Sequence, residues 1–159
     1  MARLFIATPI EIPTFNIIKN KLSPYIKGNW TLGSNLHLTH LFIGEGNEED
    51  YKFKLNIPKE QIKIKDFGFF NDKILYLKAN SPNINSIYKQ LQAKLNIKNK
   101  PFTPHITLCR IKNIKDKEGL LKAINELKDT EFKSDFSVYL YSSTLTPKGP
   151  IYKKVHKFG

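Results

Sequence analysis

The alternation of hydrophobic and polar positions predicts a strand, a helix and a second strand in the first part of the chain. The apolar run at residues 4–7 is typical of a strand, and residues 36–43 predict another one. Between them, Pro9 and Pro13 lead into a helical pattern. The hydrophobic face of that helix would consist of Phe15, Ile18, Leu22 and Tyr25.

The same order of elements returns later in the chain. Residues 74–77 predict a strand, Ser81-Pro82 predicts the cap and first position of a helix, and residues 102–111 predict a closing strand. The apolar face of this second helix would consist of Ile84, Ile87, Tyr88, Leu91 and Leu95. The two matching strand–helix–strand units indicate an internal repeat.

The segments around the two units add further strands and one helix. Residues 62–70 and 135–145 predict strands, and residues 117–127 predict a helix. A strand at 151–158 would pair with 135–145 after the turn Pro147-Lys148-Gly149-Pro150. We therefore expect a single α+β domain over residues 1–159, with mostly antiparallel sheet and helices on the outside.

The closing strand of each unit carries the tripeptide His-x-Thr, as His37-Leu38-Thr39 and as His105-Ile106-Thr107. Alternate side chains of a strand share a face, so His and Thr point the same way and the middle residue points into the apolar layer. One imidazole can accept a proton while the other donates one, and the hydroxyls can donate hydrogen bonds to phosphate oxygens. The pair predicts a phosphoester site that requires no metal or cofactor.

The composition bears on the charge of the substrate and on the compartment in which the protein works. The net charge of +12 fits a polyanionic substrate. Only Arg3 and Arg110 of the 26 basic residues are arginine, however, and a coding bias towards A+T-rich codons explains the many lysines equally well. A single cysteine, Cys109, excludes an internal disulfide. The chain lacks a signal-peptide pattern and an apolar run near the roughly 20 residues of a membrane helix. We therefore expect a cytoplasmic protein with no membrane contact.

Both histidine segments resemble the signatures of the 2H phosphoesterases. Residues 35–45 (NLHLTHLFIGE) are similar to the first signature, and residues 102–110 (FTPHITLCR) are similar to the second. Within that family they resemble the bacterial and archaeal RNA 2′,3′-cyclic phosphodiesterases, also called 2′-5′ RNA ligases. Residues 1–7 look like the opening strand of this branch, and residues 140–145 with 149–152 look like its closing hairpin.

The resemblance implies a bilobal fold with a pseudo-twofold axis, in which antiparallel sheets flank an open central cleft. It also implies metal-independent hydrolysis of an RNA or nucleoside 2′,3′-cyclic phosphate to the 2′-phosphate. On this pattern His37 would be the general acid and His105 the general base, while Thr39 and Thr107 would hold the phosphate oxygens. The expected partners are RNA ends or nucleoside 2′,3′-cyclic phosphates, and we expect a monomer.

Arg110 and Phe42 are secondary candidates for the site, whereas His40 and His156 are expected to lie outside it. Arg110 is predicted to contact the substrate, although strand parity places it on the face opposite Thr107. Phe42, its equivalent in the first unit, is a candidate platform for base stacking, with core packing as the alternative. Parity places His40 opposite His37, on the face of Leu38 and Phe42, which favours a structural role. His156 is expected at the surface.

Three other functions remain open from the sequence. The reverse reaction, 2′-5′ ligation of RNA, would use the same site. A non-catalytic RNA-binding module would need exposed aromatic residues interleaved with basic ones on a sheet face. The only candidate is Phe67-Gly68-Phe69-Phe70, which core packing explains adequately. The third alternative is another phosphoester, such as a small diester derived from a cyclic nucleotide.

Overall fold

The two His-x-Thr strands lie at the centre of one sheet in a computed structural model of the chain, which describes residues 2–159. The helices and strands, in chain order, are β1 (Ala2–Pro9), α1 (Phe15–Leu22), β2 (Ile26–Trp30), β3 (His37–Gly46), β4 (Gln61–Phe70), β5 (Ile74–Asn80), α2 (Ser86–Leu95), β6 (His105–Ile114), α3 (Lys117–Glu126), β7 (Glu131–Asp135), β8 (Tyr139–Thr146) and β9 (Gly149–Lys157). Short 3₁₀ turns cover Ser23–Tyr25, Gly33–Asn35 and Glu48–Tyr51.

The strand order shows the predicted duplication directly. The sheet runs β7-β4-β5-β6-β3-β1-β8-β9, and β2 pairs with the far end of β6. The neighbouring strands pair antiparallel, and β3 meets β6 at a single pair of residues, Leu38 and Ile106. Outward from this pair the two halves repeat the same order, with β5 and β4 corresponding to β1 and β8. The α+β, bilobal, pseudo-twofold fold is therefore confirmed.

The helices pack on the sheet with the faces that the sequence predicts. The buried residues are Phe15, Ile18 and Leu22 in α1, Ile87, Tyr88 and Leu91 in α2, and Leu120 and Ala123 in α3. Asp116 begins α3 because its carboxylate accepts a hydrogen bond from the backbone N–H of Gly119. Within residues 2–159, no helix has the length and apolar character needed to cross a bilayer.

The start of α2 differs from the prediction. The helix begins at Ser86, so Ser81-Pro82 is not its cap. Glu60 explains the difference, because its carboxylate accepts hydrogen bonds from both the backbone N–H and the side-chain amide of Asn83, at 2.8 and 2.7 Å. These bonds hold the preceding residues in turns and delay the helix by one turn.

Three strands also differ from the prediction. The predicted strand at 135–145 is interrupted, since β7 ends at Asp135 against β4 and β8 starts at Tyr139 against β1. The predicted strand at 102–111 begins only at His105, because Pro101 and Pro104 cannot donate to a ladder. The sequence did not predict β2, whose lysine, glycine and asparagine carry no strand pattern.

Candidate active site

The two His-x-Thr tripeptides come together where β3 meets β6. The middle residues, Leu38 and Ile106, are fully buried and face each other across the ladder. The residues that flank Leu38 and Ile106 have side chains on the opposite face of the sheet. His37 and Thr39 therefore share the cleft with His105 and Thr107. All four cleft side chains are half-buried. The geometric prediction for the two tripeptides is thus confirmed, while their chemical roles stay predictions.

Both imidazoles are held in the same tautomer. The Nδ1 atom of His37 lies 2.7 Å from the carbonyl oxygen of Asn35, and the Nδ1 atom of His105 lies 2.7 Å from that of Thr103. A carbonyl oxygen only accepts hydrogen bonds, so both Nδ1 atoms carry the proton and donate it. Each Nε2 atom is then left to serve as a proton acceptor when the ring is neutral, or as a donor when it is charged.

Aromatic rings pack against each imidazole. The His37 ring lies 5.1 Å from the Phe5 ring and 5.3 Å from the Tyr152 ring, between ring centroids. The His105 ring lies 4.9 Å from the Phe70 ring and 5.4 Å from the Tyr76 ring. Tyr152 and Phe70 both meet their imidazole edge-on, at 89°.

Sequence reasoning did not assign these four aromatic residues to the site. Their strands are distant in sequence from the tripeptides, and a pattern of buried aromatic residues looks the same in any core strand. For Tyr152 a signal exists, namely its position in the segment that resembles the closing hairpin of the family.

A glycine in β4 makes room for one of these rings. A Cβ atom at Gly68 would overlap the ring of Tyr76, its ladder partner on β5. The Tyr76 ring therefore occupies the space that a side chain at position 68 would fill, and it packs against His105. Gly68 thus contributes to the site through the position of Tyr76.

Arg110 lies on the cleft face, so the parity argument that placed it opposite Thr107 is wrong. A β-bulge explains the error: Thr107 pairs with Tyr76 and Cys109 pairs with Leu75, which leaves Leu108 without a partner on β5. Leu108 and Cys109 are both fully buried, and the alternation is reversed beyond them. The Arg110 side chain is consequently exposed on the same side as Thr107.

The first unit contains the same bulge at the equivalent place. Thr39 pairs with Ala7 and Leu41 pairs with Ile6, which leaves His40 without a partner on β1. Beyond this bulge, Phe42 pairs with Phe5 and is 60% exposed. Phe42 therefore lies on the cleft face, and the expectation that it shares the core face with Leu38 is wrong.

Burial and nearby charges both change the pKa of His37. Burial lowers the pKa of His37, and the nearby positive charges of His105 and Arg110 lower it further, while the hydrogen bond to the Asn35 carbonyl acts in the opposite direction. Burial raises the pKa of the Tyr152 phenol, and Arg110 opposes that shift. The Arg110 charge thus acts on groups of the first lobe, across the cleft. The Tyr152 hydroxyl remains protonated at neutral pH.

The other two histidines lie apart from this pair. His40 is 2% exposed; its Nε2 atom lies 2.8 Å from the Thr8 hydroxyl, and its ring stacks on Phe136 at 5.7 Å. Burial lowers the pKa of His40 to about 3, so its ring is neutral. His156 is half-buried and packs edge-on against Phe158. Among residues 2–159, no three His, Cys, Asp or Glu side chains are grouped as metal ligands.

Known proteins resemble the chain over its whole length. The family model described as LigT like Phosphoesterase matches residues 77–152. The RNA 2′,3′-cyclic phosphodiesterase of Methanocaldococcus jannaschii is 33% identical over 98% of this chain and 99% of its own length. The protein of the same name from Aquifex aeolicus is 33% identical over 89% of this chain and 86% of its own length.

Solved structures share the fold. A protein from Thermus thermophilus superposes with a TM-score of 0.71 at 23% identity, and covers 98% of this chain and 96% of its own. Escherichia coli LigT in complex with 3′-AMP superposes with a TM-score of 0.65 at 21% identity, over 99% of this chain and 97% of its own. At these identities the similarity establishes the architecture of the two lobes.

Proposed function

The chain belongs to the LigT-like phosphoesterases, and on that basis we propose that it hydrolyses 2′,3′-cyclic phosphates of RNA ends or nucleosides to 2′-phosphates. Relatives that are 33% identical over most of their length carry the name RNA 2′,3′-cyclic phosphodiesterase. The observation that carries the proposal is the matched pair of imidazoles. Each donates its Nδ1 proton to a carbonyl two residues earlier, which leaves two Nε2 atoms for acid–base chemistry on one phosphate.

The proposed reaction is an in-line displacement at phosphorus. The Nε2 atom of His105 takes a proton from water as the water oxygen forms a bond to phosphorus. The bond between phosphorus and the 3′ oxygen breaks, and the Nε2–H of His37 protonates the departing oxygen. The product is a 2′-phosphate with a free 3′ hydroxyl. After the reaction, His105 releases its extra proton to solvent and His37 takes up a proton from solvent.

The remaining polar groups of the cleft stabilise the phosphate in this proposal. The hydroxyls of Thr39 and Thr107 donate hydrogen bonds to its non-bridging oxygens, and the Arg110 guanidinium supplies a positive charge. The bound anion also favours protonation of His37, which offsets the effect of burial and of Arg110 on its pKa. His37 can therefore act as an acid in the complex although it is mostly neutral in the free protein.

The test is product analysis with 2′,3′-cyclic AMP in the presence of EDTA. Wild-type protein should release 2′-AMP, which chromatography separates from 3′-AMP. His37→Ala and His105→Ala should each lower kcat by about 10²- to 10⁴-fold, the usual contribution of a general acid or base. His156→Ala is the matched control and should keep its activity. Release of 3′-AMP, or full activity in either cleft variant, would contradict the proposal.

A further inference from the structure

Within residues 2–159, the helices cover only one face of the sheet. Buried residues of all three helices belong to one core with Leu38 and Ile106, so the helices lie on the face opposite the paired histidines. The cleft face of the first lobe carries instead a separate aromatic cluster, made up of Phe5, Ala7, Tyr139, Tyr141 and Tyr152. An uncovered sheet face with aromatic side chains is the kind of surface on which RNA-binding domains hold single strands.

The strand registers connect this aromatic cluster with the phosphate site. Across β3, β1, β8 and β9, the residues that pair in turn are Thr39, Ala7, Tyr139 and Lys157. Residues that pair across a ladder share a face, so all four lie on the cleft face. Neighbouring strands are about 4.8 Å apart, which places Tyr139 roughly 10 Å and Lys157 roughly 14 Å from Thr39.

Two exposed lysines of β9 converge on one tyrosine ring at the outer end of this row. A β-bulge leaves Val155 without a partner on β8, so Lys154 and Lys157 share a face although they are three positions apart. The Nζ atom of Lys154 lies 4.4 Å from the ring centroid of Tyr139, and the Nζ atom of Lys157 lies 5.9 Å from it. The attraction between the cations and the ring holds both ammonium groups in one place.

Within residues 2–159, no acidic side chain neutralises these two lysines. After Asp135 the sequence has four lysines and neither Asp nor Glu. The ion pairs of the described residues use other lysines, namely Lys21, Lys52, Lys63 and Lys117. Two positive charges that are held together without a counter-charge create a local potential that attracts an anion.

We propose that Lys154 and Lys157 bind a backbone phosphate of the RNA on the 5′ side of the reacting nucleotide, an inference that rests on the proposed function. The reacting nucleotide is joined to the rest of the RNA through its 5′ oxygen. From Thr39, the uncovered sheet face leads over the aromatic cluster to the two lysines. Tyr139 is a positioning residue in this proposal, because its ring holds both ammonium groups. The preferred substrate is then an RNA end rather than a free nucleoside 2′,3′-cyclic phosphate.

The experiment compares the trinucleotide ApApA that ends in a 2′,3′-cyclic phosphate with 2′,3′-cyclic AMP. Wild-type kcat/KM should be about three- to tenfold higher for the trinucleotide, the size of effect expected from two exposed charge contacts. Lys154→Gln/Lys157→Gln should remove most of that ratio. Lys122→Gln/Lys128→Gln is the matched control, because it removes the same charge from exposed positions in and just after α3, and it should keep the ratio.

Two variants of Tyr139 test its positioning role at unchanged net charge. Tyr139→Phe keeps an aromatic ring under the two ammonium groups and should keep the ratio of kcat/KM. Tyr139→Leu removes the ring and should lower the ratio. Equal ratios in the two variants would overturn the positioning role of Tyr139.

A binding measurement separates failure of the lysine site from failure of the proposed function. The probe is ApApA 2′-phosphate with a 5′ fluorescein label, and its anisotropy is measured with each protein at increasing KCl concentration. Each phosphate that a protein neutralises on a single strand contributes about 0.7 to the slope of log Kd against log salt, so Lys154→Gln/Lys157→Gln should lose about that much. This loss supports the lysine site even if no cyclic phosphate is hydrolysed. An unchanged slope overturns the lysine site, and the hydrolase proposal stands as long as 2′,3′-cyclic AMP yields 2′-AMP.

Discussion

At the scale of single residues, each imidazole is oriented by a hydrogen bond from its Nδ1 to the backbone carbonyl two positions earlier. Asn35 and Thr103 perform this role through their main chains, so no side-chain substitution at these positions removes it. This hydrogen bond holds Nδ1 on the carbonyl, so Nε2 is the nitrogen available in the cleft. The protonation of the ring then depends on its surroundings. For His37, burial and the neighbouring cations lower the pKa of the ring, and this shift can be measured.

Arg110 is the cation whose effect on His37 is easiest to isolate. A nearby positive charge disfavours the imidazolium form and lowers its pKa, so replacing Arg110 by glutamine should raise the pKa of His37. NMR titration of the His37 ring in the free protein measures the change. Lys122→Gln, on the outer face of α3, is the control and should leave the pKa of His37 unchanged. An unchanged or lower pKa in Arg110→Gln would mean that its guanidinium lies away from His37.

His40 should make the folded protein sensitive to acid. Its pKa is about 3 in the folded state, against an unfolded value of 6.5, so the unfolded chain binds more protons below pH 6.5. Stability should therefore be lost as the pH falls through this window, by about 2 kcal/mol at pH 5. The double variant Thr8→Val/His40→Leu lacks the buried imidazole, so this acid-induced loss of unfolding free energy should disappear.

Urea unfolding at pH 7 and pH 5 tests that expectation. The quantity compared is the change in unfolding free energy between the two pH values, since the variant also repacks the core. Wild type should lose about 2 kcal/mol more than the double variant. Equal losses would show that His40 does not control the acid sensitivity.

At the scale of elements, the two β-bulges at His40 and Leu108 decide which side chains reach the cleft. Strand periodicity predicted His37, Thr39, His105 and Thr107 correctly, because all four precede the bulges. It failed for Phe42 and Arg110, because an extra residue reverses the alternation. No residue type marks either bulge, one being a histidine and the other a leucine, so the local sequence could not reveal them.

Gly68 offers a test of how β4 and β5 support the second imidazole. A methyl group in Gly68→Ala would overlap the Tyr76 ring, so Tyr76 must move away from its position against His105. We expect a loss of stability of about 1–3 kcal/mol, typical of overpacking, together with a lower kcat. Thermal unfolding and hydrolysis of 2′,3′-cyclic AMP measure the two effects.

The matched control for that variant is Gly33→Ala. An added methyl group at Gly33 makes only an ordinary contact with Phe15, and its backbone needs no left-handed conformation. Stability and kcat should both stay near wild type. If Gly68→Ala behaves like this control, Tyr76 does not depend on Gly68 and the support for His105 comes from elsewhere.

At the scale of the whole molecule, duplication explains why so short a motif could be located from sequence. Each half carries its own strand, helix and closing strand in local order, so the repeat was visible without knowledge of the fold. The outer strands were harder to place, since β7 pairs with β4 and β8 pairs with β1 across long stretches of chain. Such non-local pairing leaves no periodic signal. The single domain, the monomeric state and the cytoplasmic location stay predictions.

The central claim is that the two tripeptides act on one phosphate as a unit. The most direct test is kcat for hydrolysis of 2′,3′-cyclic AMP by His37→Ala, His105→Ala and the double variant. Groups that act in one step are strongly non-additive, so the double variant should be within about tenfold of the slower single variant. If the two losses multiply in the double variant instead, the histidines act independently and the paired mechanism is wrong.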